Sequence, residues 1–186
     1  MSVVVVRHGP TEWSTQGRHT GRTDIPLDDD GRRAAAALAS LLARREFALV
    51  LTSPLARARD TAALAGFADA AIDDDLLEWD YGEYEGRTTA DIRGERPGWL
   101  LWTDGVPAGE DAAAVGRRAD RVLARLRAAD GDALVFAHGH VLRVLAARWI
   151  ELPPEGGMRL ALEPARPSTL GYEREVAVIQ EWNAAR

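Results

Sequence analysis

The stretch Ser2-Val-Val-Val-Val-Arg-His-Gly9 decides the fold. Val3 to Val6 are four consecutive β-branched residues, so both faces of an extended segment here are apolar. A strand that is apolar on both faces belongs in a sheet covered on both sides, the usual setting of a parallel α/β sheet. Arg7, His8 and Gly9 follow at once. They stand beyond the carboxyl end of that strand, where open α/β sheets bind their ligands.

The remaining chain repeats the alternation of strand and helix. Residues 8–30 are rich in Gly, Thr, Pro and Asp and read as a long loop. Residues 31–45 carry Ala34, Leu38, Leu41 and Leu42 at helical spacing, behind the acidic run Asp28 to Asp30. A second strand is predicted over 48–52. Ser53-Pro54 then opens a helix to residue 65, with serine as cap and proline in the first turn. Residues 70–72 form a third strand. Residues 78–109 are irregular, tryptophan-rich and suited to short helices. Residues 110–129 form an amphipathic helix, 134–137 a fourth buried strand, and 140–150 a helix apolar nearly all round. Residues 158–162, 170–173 and 176–182 read as strands at a sheet edge. The expectation is one domain over residues 1–186, a three-layer α/β/α sandwich on a mainly parallel sheet.

Composition removes several chemistries. The 186-residue chain has no cysteine, and all 23 basic residues are arginine. That removes thiolate catalysis, disulfides and cysteine-ligated metals. It also removes Schiff-base lysines and the lysine-dependent phosphate loop. A coding bias that also enriches alanine accounts for the missing lysine. The net charge of −6 argues against a nucleic-acid partner. The opening apolar run is too short for a signal peptide or a membrane span, which predicts a cytoplasmic protein.

Three strand ends carry the candidate chemistry. Arg7 and His8 follow the first strand. Ser53 follows the second, with Arg57 one turn on. His138, Gly139 and His140 follow the fourth. Parallel strands bring these ends to one edge, where helix N-termini and arginine forks suit a phosphate. Neutral imidazole is a competent phosphoryl acceptor, so His8 is the candidate nucleophile. Arg7, Arg57 and His138 would neutralise the transferring group. The leaving alkoxide needs an acid. Glu78, behind two leucines and beside Trp79, is the candidate, with a pKa raised by an apolar setting; Asp80, Glu83 and Glu85 lie nearby.

Five ordered segments carry a family resemblance: RHGPTEW (7–13), GRHTGRTDIPL (17–27), SPLARARDTA (53–62), EWDYGEYEG (78–86) and FAHGHVLR (136–143). Together they resemble the histidine phosphatase superfamily in its phosphoglycerate-mutase-like branch. The resemblance implies that His8 is phosphorylated, that Arg7, Arg57 and His138 line the phosphate pocket, that Glu78 donates the proton, and that no metal or other cofactor is needed. Phosphoglycerate mutases usually carry arginine where Trp79 stands, asparagine at the positions of Ser14 and His140, and a long basic insertion absent here. The chain looks most like the small acid phosphatases and sugar-bisphosphate phosphatases of the branch.

The expected activity is therefore hydrolysis of a small phosphorylated metabolite. Mutase activity and an inactive phospholigand-binding module are the alternatives, and a homodimer is kept as the candidate assembly. Ser14, Thr20 and Gly21 are candidate substrate contacts through hydroxyl and backbone N–H, with a plain loop role as the alternative. Arg22, Arg87, Arg93 and Arg96 are candidates for a second anionic group, or else belong to a solvated face. His140 is read as support for the site, Arg59 as structural, and His19 has no assigned role.

Overall fold

A computed structural model describes residues 1–184. Strand β1 (Val3–Arg7) leads through a short helix α1 (Glu12–Thr15) to α2 (Asp29–Leu42), β2 (Leu49–Thr52), α3 (Ala56–Leu64) and β3 (Ala71–Ile72). Short helices α4 (Thr89–Glu95) and α5 (Leu101–Asp104) precede α6 (Ala112–Arg127), β4 (Ala133–Ala137) and α7 (Gly139–Trp149). Strands β5 (Pro167–Glu173) and β6 (Val176–Glu181) follow.

The six strands form one sheet in the order β3-β2-β4-β1-β5-β6. Strands β1 to β4 are mutually parallel; β5 runs antiparallel to β1 and to β6. The valine run explains the layering. Val3 and Val5 pack on one face with α6, α7 and Trp79, Trp99, Trp102 and Trp149. Val4 and Val6 pack on the other with Ala34, Leu38 and Leu42 of α2 and Ala62 of α3. Period-two alternation thus sends successive valines into two separate cores, and all four are buried. This is the expected three-layer α/β/α arrangement.

Local chemistry sets the element ends. Asp28 caps α2 by accepting from Gly31 N at 2.7 Å, so the helix starts two residues earlier than predicted and ends at Leu42. Asp111 caps α6 through Ala114 N at 2.7 Å.

Two predicted elements need correction. Ser53 does not cap α3, whose N-cap is Leu55 without a side-chain bond; its hydroxyl bonds His138 instead. Residues 158–162 are not a strand. Pro154–Arg159 form a 3-10 helix, and the edge is made by β5 and β6 alone. Apolar spacing over so few residues does not separate a strand from a tight helical turn, and Pro153-Pro154 favour the turn.

Candidate active site

The sheet register builds the site. Arg7 pairs with Ala137, and Thr52 with Phe136. The ladder extends one residue past each strand end, with His8 N donating to Ala137 O and Ser53 N to Phe136 O, each at 2.9 Å. His8, Ser53 and His138 therefore stand side by side on one edge. The His8 and His138 ring centroids are 5.2 Å apart.

His8 is buried, and its Nδ1 lies 2.7 Å from the Gly9 carbonyl oxygen. A carbonyl only accepts, so Nδ1 carries the proton and the lone pair is on Nε2. That atom has no protein partner and opens on a cavity of about 270 Å³. Burial, Arg57 and Arg7 hold the imidazole well below its ordinary pKa.

Arg7 lines the same cavity. One of its terminal nitrogens donates to Leu162 O at 2.8 Å, while its buried Nε has no partner, alone among buried side-chain polar atoms of the described residues. Its other terminal nitrogen has no partner among the described residues and is not sealed, so the guanidinium keeps an N–H for an anion on the cavity beside His8.

Arg57 and His138 stand behind His8 rather than along the cavity wall. Both are fully buried. Arg57 Nε donates to His138 Nδ1 at 3.1 Å, and its terminal nitrogens donate to the carbonyls of Thr20, Gly21 and Thr23. With Nδ1 accepting, His138 carries its proton on Nε2, which donates to Ser53 Oγ at 2.7 Å. Burial and Arg57 keep His138 neutral, its pKa well below the usual value.

Glu78 is buried on the cavity, but the apolar setting expected for it is corrected. Its carboxyl accepts three backbone N–H groups. Oε1 takes Trp79 N and Val141 N, and Oε2 takes His140 N, each at 2.9 Å. It therefore occupies the N-terminus of α7, where the helix dipole and free N–H groups favour an acidic side chain.

Three further expectations change. The Gly21 N–H donates to Glu85, and its carbonyl accepts from Arg57, so it does not face the cavity. Ser14 lines the cavity, but its hydroxyl closes the capping box of α1 with Thr11. Thr20 lines the cavity, but its hydroxyl donates to Arg18 O at 3.2 Å, and its carbonyl holds Arg57.

Arg22 pairs with Asp80 and Glu110, Arg87 with Glu95, Arg93 binds Trp99 O, and Arg96 binds the Tyr84 hydroxyl; none lines the cavity. Arg18 and Arg143 do. Arg143 donates to the carbonyls of Gly157 and Met158 and lies 4.7 Å over the Trp102 ring. One signal for it is visible in the sequence. It is three residues after His140, hence on the same helix face, and it is a charge in the apolar middle of the helix, whose other arginine, Arg148, lies in the last turn.

His19, Tyr81, Thr89 and His140 also line the wall. Among the described residues, no three His, Asp or Glu side chains are grouped so as to hold a metal ion, and no helix is long and apolar enough to cross a membrane.

Known proteins resemble this chain over most of its length. An acid phosphatase of Mycobacterium tuberculosis is 44% identical over 184 residues, covering 95% of this chain and 91% of that one. Sedoheptulose 1,7-bisphosphatase of Saccharomyces cerevisiae is 38% identical over 183 residues, covering 80% and 67%. The solved structure of a Mycobacterium tuberculosis open reading frame superposes with a TM-score of 0.94 at 41% identity, covering 99% of this chain and 97% of that one. Residues 3–185 match the histidine phosphatase superfamily (branch 1), and the chain is a member of that superfamily.

Proposed function

We propose that this histidine phosphatase hydrolyses phosphomonoesters of small metabolites, sugar phosphates among them, by way of a phosphoryl group carried on Nε2 of His8. The observation that carries the reading is the free Nε2 lone pair of His8 on a cavity that Arg7 also lines. In the first step Nε2 attacks phosphorus as the bond to the leaving oxygen breaks. Glu78 gives its proton to that oxygen, and the metabolite leaves as an alcohol. In the second step water attacks phosphorus, the P–N bond breaks with its electron pair returning to Nε2, and the water proton passes to Glu78.

Each group suits its part. A carboxylate has about four lone-pair sites. Glu78 has three engaged by backbone N–H groups, which leaves one, on Oε2, for the travelling proton. Three fixed donors set that oxygen in place before substrate arrives. Arg7 meets the equatorial phosphoryl oxygens. Behind His8, Arg57 adds positive potential and the neutral His138 helps fix the nucleophile's surroundings. This route uses only side chains of the chain itself.

The relatives named as an acid phosphatase and a sugar bisphosphatase support hydrolysis over mutase chemistry, as does Trp79 beside the acid. Turnover of 4-nitrophenyl phosphate in the presence of chelator is the test. Undiminished rates in His8→Ala would overturn the mechanism. Incubation with 3-phosphoglycerate separates the readings: hydrolysis releases phosphate, whereas a mutase accumulates 2-phosphoglycerate.

A further inference from the structure

The steps above use neither the ring of His140 nor that of Tyr81, yet both face the cavity. The His140 ring sits beside the proposed acid: its Nδ1 is 3.9 Å from Glu78 Oε2, and its own backbone N–H holds that oxygen. It therefore stands where the leaving group must lie.

Its tautomer is set by one neighbour. The Tyr81 hydroxyl lies 2.6 Å from His140 Nδ1 and has no other partner among the described residues. Burial and Glu78 raise the Tyr81 pKa well above 10.0, so the phenol keeps its proton. Donation to Nδ1 is the one arrangement here that gives that proton an acceptor. The imidazole then carries its own proton on Nε2.

Nε2 has no protein partner and is not sealed from the cavity. Burial, Arg143, His19 and Arg7 keep the ring neutral. Trp102 at 5.4 Å, Tyr81 at 5.8 Å and Trp79 at 6.2 Å, centroid to centroid, hold its plane. His19 adds a second imidazole on the same wall, its centroid 6.3 Å away, with burial lowering its pKa to about 4.

We propose that His140 determines specificity: its Nε2–H, aimed by Tyr81, is a fixed neutral donor to a hydroxyl of the leaving group, so the site selects phosphates of polyhydroxylated alcohols. The proposal rests on the phosphatase reading of the cavity. A site built around one polar partner discriminates against analogues that lack it, because its donor is then left unpaired.

The experiment compares kcat/KM of the full chain for ribose 5-phosphate and n-pentyl phosphate, both esters of primary alcohols. The wild type should favour the sugar by about tenfold, the scale of one hydrogen bond to a neutral group. His140→Leu should erase most of that preference, Tyr81→Phe part of it, and His140→Asn, which restores an N–H donor, should recover part. Equal rates for the two esters in the wild type overturn the proposal, and that arm needs no variant. So does a parallel fall for both esters in His140→Leu, since a merely structural role moves both. Absence of turnover with either ester and with 4-nitrophenyl phosphate overturns the phosphatase reading instead.

Discussion

Nδ1 of His8 and the carbonyl oxygen of Gly9 lie 2.7 Å apart, a contact within one dipeptide that fixes the tautomer of the candidate nucleophile. Phosphorylation should accordingly occur at Nε2. Rapid quenching of turnover in Glu78→Gln at alkaline pH, followed by ³¹P NMR of the denatured protein, should show an Nε2 phosphoramidate. His8→Ala should lower kcat by ~10³-fold or more. A signal from Nδ1, or from another residue, contradicts the assignment.

Glu78→Gln also tests the proton donor through the leaving group. An alkyl phosphate departs as a strongly basic alkoxide, whereas 4-nitrophenolate leaves without help. The variant should lose about 10²-fold or more in kcat/KM on alkyl esters, in line with general-acid contributions. Its loss on 4-nitrophenyl phosphate should be much smaller. Equal losses on both would remove Glu78 from that role.

The histidines make opposite demands on activity and stability as pH falls. Burial with Arg57 and Arg7 keeps His8 neutral well below its ordinary 6.5. The acidic limb of kcat/KM should therefore fall below pH 6.5 rather than at it. Stability behaves otherwise. His8, His19, His138 and His140 all have lowered folded-state values. Their contribution is fully present above about pH 6.5, and it is lost on acidification because only the unfolded chain then binds the protons. Each histidine costs about 1.4 kcal/mol per pH unit in that window. Tm should drop clearly between pH 7.5 and 5.0; a level or rising Tm contradicts the shifts.

Ser53 accepts from His138 Nε2 at 2.7 Å. Ser53→Ala leaves a buried N–H unsatisfied and frees the ring to turn. The expected result is a fall of about tenfold in kcat, the scale of one buried hydrogen bond, with KM for 4-nitrophenyl phosphate nearly constant. A change confined to KM would place Ser53 on the substrate side instead.

The loop carrying His8 rests on the first turn of α2. A Cβ at Gly9 would meet Gly31 O at 2.5 Å, and one at Gly31 would collide with Pro10 O. Gly31→Ala should thus destabilise by about 1–3 kcal/mol, against the ~1 kcal/mol alanine ordinarily gains in a helix. A lower urea midpoint at unchanged slope would show it; a stabilised variant would mean the loop moves freely.

Much of this was legible because the informative residues sit at strand ends. Val3 to Val6 encode a two-faced strand, and the parallel pairing it implies puts His8 and His138 together. Side-chain partners were less legible. Whether an arginine near such a site faces the ligand depends on which carbonyls lie within reach, and the carbonyls of Thr20, Gly21 and Thr23 around Arg57 come from a loop with no periodic pattern. Glu78 reads as apolar from its leucine and tryptophan neighbours. Its N–H donors at 140 and 141 are brought near only by tertiary folding. Arg22, Arg87, Arg93 and Arg96 look alike in sequence, and local acids or carbonyls claim each one.

The position of β1 in the sheet has a consequence for synthesis. Its ladder partners are residues 133–137 on one side and 167–170 on the other. This apolar segment leaves the ribosome well before either partner, so neither of its edges is satisfied until they follow. Until Ala133 emerges, four valines with unpaired backbone form an adhesive strand. Nascent chains arrested before that residue should bind holdase chaperones, and release should follow once β4 is made.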